Sequence, residues 1–235
     1  MNWKSLKDNA YVPYSEQPEV CAVKGKSGSW YPGVRIENIS YPLTIHAEQS
    51  AVCQCLSNAD TPLELHLPDE PLPENRTVFW EKEFDMTIVR DSSATPEPWY
   101  SPFISVESNE KQVLKELLDY AVTPNSDFQV SCLLKLSDGR YIPGVNIEFS
   151  DWQTGLCAER VALSKALAFG FTNFEQLMVH ARRGEYVSPC GTCRQVILEH
   201  MPDHPVSMLH GNETTSTLYS SHLLPYSFTA DINES

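Results

Sequence analysis

The chain has 235 residues, of which 41% are hydrophobic and 20% are charged, and its formal net charge is −14. It contains no apolar run long enough to span a bilayer and no basic, apolar leader, so we predict a soluble, cytoplasmic protein with no membrane partner. We do not expect nucleic acid as a partner. Proteins bind phosphate backbones with clustered Lys and Arg, and so acidic a chain repels such backbones.

The first stretch with a clear pattern, residues 32–48, returns later in the chain. It reads PGVRIENISYPLTIHAE, and residues 143–159 read PGVNIEFSDWQTGLCAE. Both begin with Pro-Gly-Val and end with Ala-Glu, at a constant offset of 111 residues that also pairs Cys21 with Cys132. We interpret this as an internal repeat, with two copies of one unit, since the length of the chain suits two domains of roughly 100–150 residues.

The first copy follows this pattern to about Asn58 and then changes in composition. Residues 59–103 are rich in proline and acidic residues, as in TPLELHLPDEPLPEN and DSSATPEPWYSPF. Such clusters are typical of loops and connections. We therefore predict a divergent half-domain and a linker, with the first domain over residues 1–105 and the second over residues 106–235.

The second copy shows a clear order of predicted elements. Apolar residues at helical spacing over 109–122 predict a helix of about four turns, which Pro124 ends. FQVSCLLKLSDGRYIPGVNIEF predicts a β-hairpin around Ser-Asp-Gly. CAERVALSKALAFG predicts a helix ending at Gly170, QLMVHA a buried strand, SPCGTCRQVILEH a helix with Ser188 as N-cap, and PVSMLHG a last strand. This order predicts an α/β layered domain, with a central mixed sheet flanked by helices.

Three cysteines and one glutamate of the second copy have the spacing of a metal site. Cys190 and Cys193 are three residues apart, so on a helix they lie on one face, and Cys157 opens the preceding helix. Helix N-termini stabilise thiolates, which zinc ligation requires. Three protein ligands leave a fourth position open, as in catalytic zinc sites. Three-cysteine zinc with a nearby glutamate that is not a ligand, here Glu159, is the arrangement of nucleobase-type deaminases.

The second copy resembles the cytidine deaminase family, in its three-cysteine form that acts on free nucleosides. The resemblance covers most of residues 109–228 and rests on SDFQV, PGVNIE, CAERVA and SPCGTCRQV. It implies Cys157, Cys190 and Cys193 as ligands of one zinc ion per chain, with Glu159 as the proton shuttle. It also implies two cytidine-deaminase-like α/β/α domains.

The resemblance further implies a set of substrate contacts. Asn146 and Glu148 would bind the ribose hydroxyls, Phe128 would form a wall against the base, and Ala158 would belong to the same site. Arg160 would lie near the thiolates. Alternatives stay open, because alternating polar residues on a strand often only face solvent and a phenylalanine is more often a core residue. A Cys-x-x-Cys pair can also be a structural zinc half-site or a redox pair.

The first copy has lost most of this chemistry and is predicted to be degenerate. At the offset of 111, Phe79 and Lys82 fall where the second copy has its Cys-x-x-Cys pair, so His46 and Glu48 are left without a metal. The counterparts of the base wall and of one sugar contact are also changed, to Gln17 and Arg35.

One segment of the first copy nevertheless keeps the family pattern. EFSDW in the second copy departs from the family's Glu-Asn-Ala-Ser-Tyr segment, which in the family helps to close the active site of a neighbouring subunit, whereas the first copy reads ENISY. We predict that Ile39, Ser40 and Tyr41 reach the zinc site of the second copy, in the same chain or across a dimer. Phe228 would complete the enclosure. The alternative is that Tyr41 is a core aromatic of its own domain.

These observations predict a zinc-dependent hydrolytic deaminase of cytidine or deoxycytidine. Family resemblance adds self-association, with a homodimer as the simplest assembly. Two alternatives stay open. One is deamination of a related aminopyrimidine compound, and the other is a non-catalytic protein with structural zinc, against which Glu159 and the open ligand position argue.

Overall fold

The chain forms two mixed β-sheets, each with helices packed on it. In this computed structural model the described residues are 1–68, 73–93, 96–107 and 109–228. The elements of the first half are α1 (Trp3–Asn9), β1 (Val20–Gly25), β2 (Trp30–Val34), α2 (Ala47–Leu56), β3 (Pro62–Leu67), α3 (Glu74–Phe84) and β4 (Thr87–Arg90). Those of the second half are α4 (Glu110–Leu117), β5 (Val130–Leu136), β6 (Tyr141–Val145), α5 (Ala158–Ala168), β7 (Phe174–Ala181), α6 (Gly191–His200), β8 (Pro205–Leu209), β9 (Thr215–Tyr219) and α7 (Ser220–Leu223).

The two sheets share one plan. Their strand orders are β2-β1-β3-β4 and β6-β5-β7-β8-β9. In each, an antiparallel hairpin pairs with the third strand, which pairs parallel with the fourth. β9 extends the second sheet and has no counterpart in the described part of the first half. The prediction of two layered α/β domains is confirmed, and no helix within the described ranges is long and apolar enough to cross a membrane.

The first repeat continues well past Asn58, the residue at which the sequence pattern predicted its end. β3, α3 and β4 take the places of β7, α6 and β8 in the sheet order. Pro73 is the N-cap of α3, as Cys190 is the N-cap of α6, a separation of 117 residues rather than 111. The earlier match of Cys190 with Phe79 was therefore wrong. The connection before α3 is shorter than its counterpart, and a fixed offset misses the rest of the repeat.

The elements predicted for the second repeat are present, with one helix start displaced. The hairpin turns at Gly139 and α5 stops before Gly170, at φ angles of 87° and 80° that glycine adopts readily. The predicted N-cap Ser188 was wrong, because Cys190 occupies that position. The Ser188 hydroxyl instead accepts a hydrogen bond from Arg194 Nη2 at 2.8 Å.

The repeats pack on each other through α2 and α5. Gln49 Nε2 donates to the carbonyl of Thr154 at 2.7 Å, and Arg160 Nη2 donates to the carbonyl of Leu43 at 2.9 Å. Both the two donors and the two acceptors are 111 positions apart. The two contacts are thus related by approximate two-fold symmetry, as in a symmetric dimer.

The chain passes from one sheet to the other over residues 99–104. Trp99 pairs with Trp30 at the edge of the first sheet, and Ile104 pairs with Tyr141 at the edge of the second. The domain border at residue 105 stays a prediction.

Candidate active site

Three thiols meet where α5 and α6 begin. Cys157 is the N-cap of α5, Cys190 is the N-cap of α6, and Cys193 lies in the first turn of α6. Their sulfur atoms all lie within 4.8 Å of one another, and the Cys157 and Cys190 Sγ atoms are 3.8 Å apart. Two helix starts thus bring together the three predicted metal ligands.

The surroundings of the thiols favour negative charge on Cys190. Hydrogen bonds from the thiols of Cys157 and Cys193, together with backbone N–H groups of α6, lower the pKa of Cys190. The other two thiols act as donors in these contacts, which raise the pKa of Cys157 and Cys193. Soft sulfur donors at two helix N-termini, with Cys157 and Cys190 facing a cavity from which a fourth ligand can enter, fit a catalytic zinc ion.

Glu159 lies in the first turn of α5, beside the thiols. Its side chain faces the cavity and is 3% exposed. Burial, reinforced by repulsion from Cys190, raises the pKa of Glu159 to about 7. A carboxyl group with a pKa near neutral pH can both take up and return protons.

A cavity of about 490 Å³ opens in front of Glu159 and the thiols. Its surface is mainly apolar with a few polar groups, as in most sites for small molecules. The predicted substrate residues Phe128, Asn146 and Glu148 are in its wall. Sequence reasoning assigned no cavity contact to six further residues of the wall. Tyr186 and Val187 lie outside any motif, and the other four lie within quoted stretches but had been given no role of their own: Ser126, Val130, Trp152 and Ser188.

Asn146 and Glu148 hold the loop that carries Phe128. Asn146 Oδ1 accepts from the Val130 N–H at 2.8 Å, and its Nδ2 donates to the Phe128 carbonyl at 2.9 Å. Glu148 accepts from the N–H of Ser126 at 3.1 Å and from its hydroxyl. The alternative that both residues only face solvent is therefore wrong. Their contacts with a ribose stay a prediction.

Ala158 and Arg160 stand on either side of Glu159 and have different surroundings. Ala158 is fully buried in α5 and is not among the described residues of the cavity wall. Arg160 is 8% exposed and binds the Leu43 carbonyl of the first repeat. Its positive charge lowers the pKa of Glu159, against the larger effect of burial. The predicted position of Arg160 near the thiolates stays a prediction.

The residues predicted to enclose the cavity do not line it within one chain. Tyr41 is 84% exposed, so it is not a core aromatic of its own domain, and Phe228 is 68% exposed. The backbone N–H of Ile39 donates to Glu199 Oε2 at 3.0 Å. Neither these residues nor Ser40 is among the described residues of the cavity wall. The same-chain form of the prediction is not supported, and enclosure across a dimer stays a prediction.

In the first repeat an arginine takes the place of a metal ligand. Arg76 is three residues after the N-cap of α3, as Cys193 is three residues after the N-cap of α6. The sequence offset had wrongly placed Lys82 there. Arg76 Nε and Nη2 donate to the two carboxylate oxygens of Glu48, the counterpart of Glu159, each at 2.5 Å.

Arg76 is part of an ion network in the first repeat. Glu19 bridges two arginines, accepting from Arg76 Nη2 at 2.9 Å and from Arg35 Nη1 at 2.9 Å. Arg35, at the position of Asn146, also pairs with Glu37 at 3.0 Å. The counterparts of a metal ligand, a proton shuttle and the sugar contacts are thus bound to one another. Within this network the guanidinium of Arg76 provides the positive charge that a metal would provide.

The layered α/β fold and this site define a class of protein. Three thiols that suit zinc, a buried carboxyl group beside them and a cavity in front of both are the arrangement of zinc-dependent deaminases.

Comparisons with known proteins agree with that class and name the family. The model for the cytidine and deoxycytidylate deaminase zinc-binding region matches residues 107–208. Cytidine deaminase of Halalkalibacterium halodurans is 37% identical over 131 residues, which are 54% of this chain and 99% of that protein. Cytidine deaminase of Sporosarcina psychrophila is 37% identical over 121 residues, 50% of this chain and 87% of that protein. A crystal structure of cytidine deaminase from Burkholderia pseudomallei gives a TM-score of 0.46 at 32% identity, covering 50% of this chain and 94% of that one. The chain belongs to the cytidine deaminase family.

Proposed function

We propose that the protein catalyses the hydrolytic deamination of cytidine or deoxycytidine, with release of ammonia and the corresponding uridine. The observation that carries this proposal is the convergence of three thiols and the buried Glu159 on one cavity. Its volume of about 490 Å³ lies within the roughly 300–1,000 Å³ typical of small-molecule sites. The relatives named cytidine deaminase support the same substrate class.

Cys157, Cys190 and Cys193 would hold one zinc ion per chain. When bound, zinc supplies Lewis-acid activation of a water molecule at neutral pH. The thiols contribute ligand atoms, and the N-terminus of α6 stabilises the negative charge that ligation requires. We assign no zinc to the first repeat, because Arg76 already pairs with Glu48 there.

Glu159 carries the protons of the reaction. It takes a proton from the attacking water, whose oxygen forms a bond to C4 of the pyrimidine, and it delivers a proton to N3. Glu159 then takes the second proton from the hydroxyl group now on C4 and passes it to the amino group. The bond from C4 to that nitrogen breaks, C4 becomes a carbonyl carbon, and ammonia leaves. Burial suits Glu159 to both steps, since it places the pKa of this carboxyl group at about 7.

Phe128, Asn146 and Glu148 would orient the nucleoside. Phe128 is 42% exposed at the cavity and offers an aromatic face to the base. Asn146 and Glu148 offer hydrogen-bonding groups to the sugar hydroxyls. Because the same two side chains already fix the loop of Ser126 and Phe128, the substrate would meet a preorganised wall.

The test is an absorbance assay with purified protein on cytidine, deoxycytidine and cytosine, each with and without a zinc chelator. We expect turnover of cytidine or deoxycytidine that the chelator abolishes and added zinc restores. Absence of turnover with all three would contradict the proposal. It would favour deamination of a related aminopyrimidine compound, for which the altered EFSDW segment and Trp152 in the cavity wall would be the reason.

We also propose a homodimer in which Tyr41 of one chain closes the cavity of the other. Tyr41 and Trp152 occupy equivalent positions in the two repeats and are 84% and 63% exposed. Exposed aromatic residues at positions related by approximate two-fold symmetry suit a self-complementary interface. Tyr41→Phe should raise KM, and Tyr41→Ala should raise it further. Tyr41→Ala should also weaken the dimer, as measured by light scattering. Wild-type kinetics in both variants would leave Tyr41 without this function.

A further inference from the structure

We propose that α3 of the first repeat positions the substrate-binding wall of the second repeat. The contact consists of Glu83 and an aromatic clamp, which we define as Phe79, Trp80 and Phe84, all on α3. This inference rests on the proposed function, because the wall is taken to bind the nucleoside. It gives the first repeat a part in the active site that does not depend on a second chain.

Glu83 binds one residue of the second repeat with both carboxylate oxygens. The N–H of Ser150 donates to Glu83 Oε1 at 2.9 Å, and the Ser150 hydroxyl donates to Glu83 Oε2. Hydrogen bonds to a carboxylate are stronger than those between neutral groups, and a bidentate pair also fixes orientation. Ser150 is thereby held at the end of α3.

The aromatic clamp fixes Phe149, the residue before Ser150. Phe149 is 2% exposed and lies edge-on to Trp80 and Phe84, with ring centroids 5.2 Å and 5.9 Å away, and its ring is 6.4 Å from that of Phe79. Buried aromatic pairs of this geometry add to the free energy gained by burial alone. Two consecutive residues of the second repeat are thus bound by the first.

Phe149 and Ser150 lie in the chain between two residues that line the cavity. Glu148 precedes them and Trp152 follows them, and both line the cavity. Glu148 in turn binds the N–H and hydroxyl of Ser126, in the loop that carries Phe128. Displacement of the segment at α3 would therefore reach the groups proposed to bind sugar and base.

A similar contact on the other side of the interface lacks the clamp. Glu199 of α6 accepts from the N–H of Ile39, the counterpart of Ser150. The counterpart of Phe149 is Asn38, whose buried Nδ2 has no hydrogen-bond partner in the described part of the chain. The clamp thus surrounds the segment beside the thiol site and is absent, among the described residues, from the equivalent segment beside Arg76. This asymmetry favours a role at the active site over general packing of the repeats.

Steady-state kinetics of Glu83 variants test the proposal. Glu83→Ala should raise KM for cytidine by about three- to ten-fold while kcat stays within about two-fold, since ground-state binding weakens and the proton chemistry of Glu159 is untouched. Glu83→Gln keeps an oxygen for the Ser150 N–H and should recover most of the binding. Ser150→Ala, which removes only the hydroxyl, should give a smaller rise in KM. Glu81→Ala, on an exposed position of the same helix, is the matched control and should equal wild type.

Hydrogen–deuterium exchange separates this inference from the assignment of substrate. Without any substrate present, Glu83→Ala should speed exchange in segments 148–152 and 125–128, and Glu81→Ala should not. If wild type deaminated no nucleoside, the proposed function would fail and the exchange data would still decide whether α3 positions the wall. Unchanged KM together with unchanged exchange in Glu83→Ala would overturn the inference.

Discussion

The two repeats place corresponding side chains at the starts of corresponding helices and give them different surroundings. In the second repeat, three thiols and the buried Glu159 face an open cavity. In the first repeat, Arg76 reaches the equivalent region and pairs with Glu48 and Glu19. A buried carboxylate without a positive partner is costly, so the charge of Glu48 has to be compensated locally. The comparison shows that one guanidinium can do this while the sheet order of the domain is kept.

The largest expected effect distinguishes the two equivalent glutamates. Glu159→Gln keeps size and hydrogen bonding but cannot carry a proton, so turnover should fall by roughly two to four orders of magnitude. Zinc content and thermal stability should stay near wild type, as measured by metal analysis and calorimetry. The matched variant Glu48→Gln, in the first repeat, should keep kcat within about two-fold. An active Glu159→Gln protein would rule out the proposed proton shuttle.

Removal of Arg76 should affect stability rather than catalysis. Arg76→Ala leaves Glu48, which is 2% exposed, without its positive partner, and should cost about 3 kcal/mol of unfolding free energy. Urea denaturation measures this cost, with Arg90→Ala at an exposed position as the control. The double variant Arg76→Met, Glu48→Leu should recover most of the loss, because it removes both charges. A single variant as stable as wild type would show that Glu48 does not depend on Arg76.

A smaller effect on the free energy of unfolding should appear at acidic pH, and it arises at the interface between the repeats. His200 packs edge-on against Tyr11 with ring centroids 4.7 Å apart, and its Nε2 is buried without a hydrogen-bond partner among the described residues. Burial lowers the pKa of His200 to about 4. An exposed histidine titrates near pH 6.5, so the unfolded chain binds this proton more tightly, and stability falls as the pH falls from about 6.5 to 4.

Substitution of His200 should therefore reduce the acid sensitivity of the fold. Between pH 7 and pH 5, His200→Gln should lose about 2 kcal/mol less unfolding free energy than wild type, as measured by urea denaturation at both pH values. His222→Gln, at an exposed position on α7, should behave like wild type. Equal losses in wild type and His200→Gln would show that this histidine does not titrate with unfolding.

The thiol site could be predicted from sequence because its determinants are local. A spacing of three residues and a position at a helix start already place Cys190 and Cys193 together. Cys157 is identified by the Ala-Glu pair that follows it, because both repeated stretches end with this pair. Arg76 could not be found in this way, because the shorter connection before α3 shifts the offset from 111 to 117. The predicted N-cap at Ser188 failed because Arg194 binds that hydroxyl.

Contacts between the repeats were the least predictable part of the fold. Glu83 and Ser150 are 67 residues apart in the chain, and Glu83 belongs to no motif. The ENISY segment did indicate an interaction beyond its own domain. The structure, however, leaves Tyr41 exposed and uses α3 to contact the second repeat instead. Such pairings depend on how two surfaces meet, which hydrophobic periodicity and motif spacing do not encode.

We propose that the second repeat holds zinc and that Arg76 stands in its place in the first. The most direct test is the zinc content per chain of the purified wild type, His46→Ala and Cys190→Ala, measured by mass spectrometry. We predict one zinc per chain in wild type and in His46→Ala. Cys190→Ala should contain close to none and should melt at a lower temperature, because metal binding is coupled to folding. Two zinc ions per chain in wild type, or loss of zinc in His46→Ala, would contradict the account.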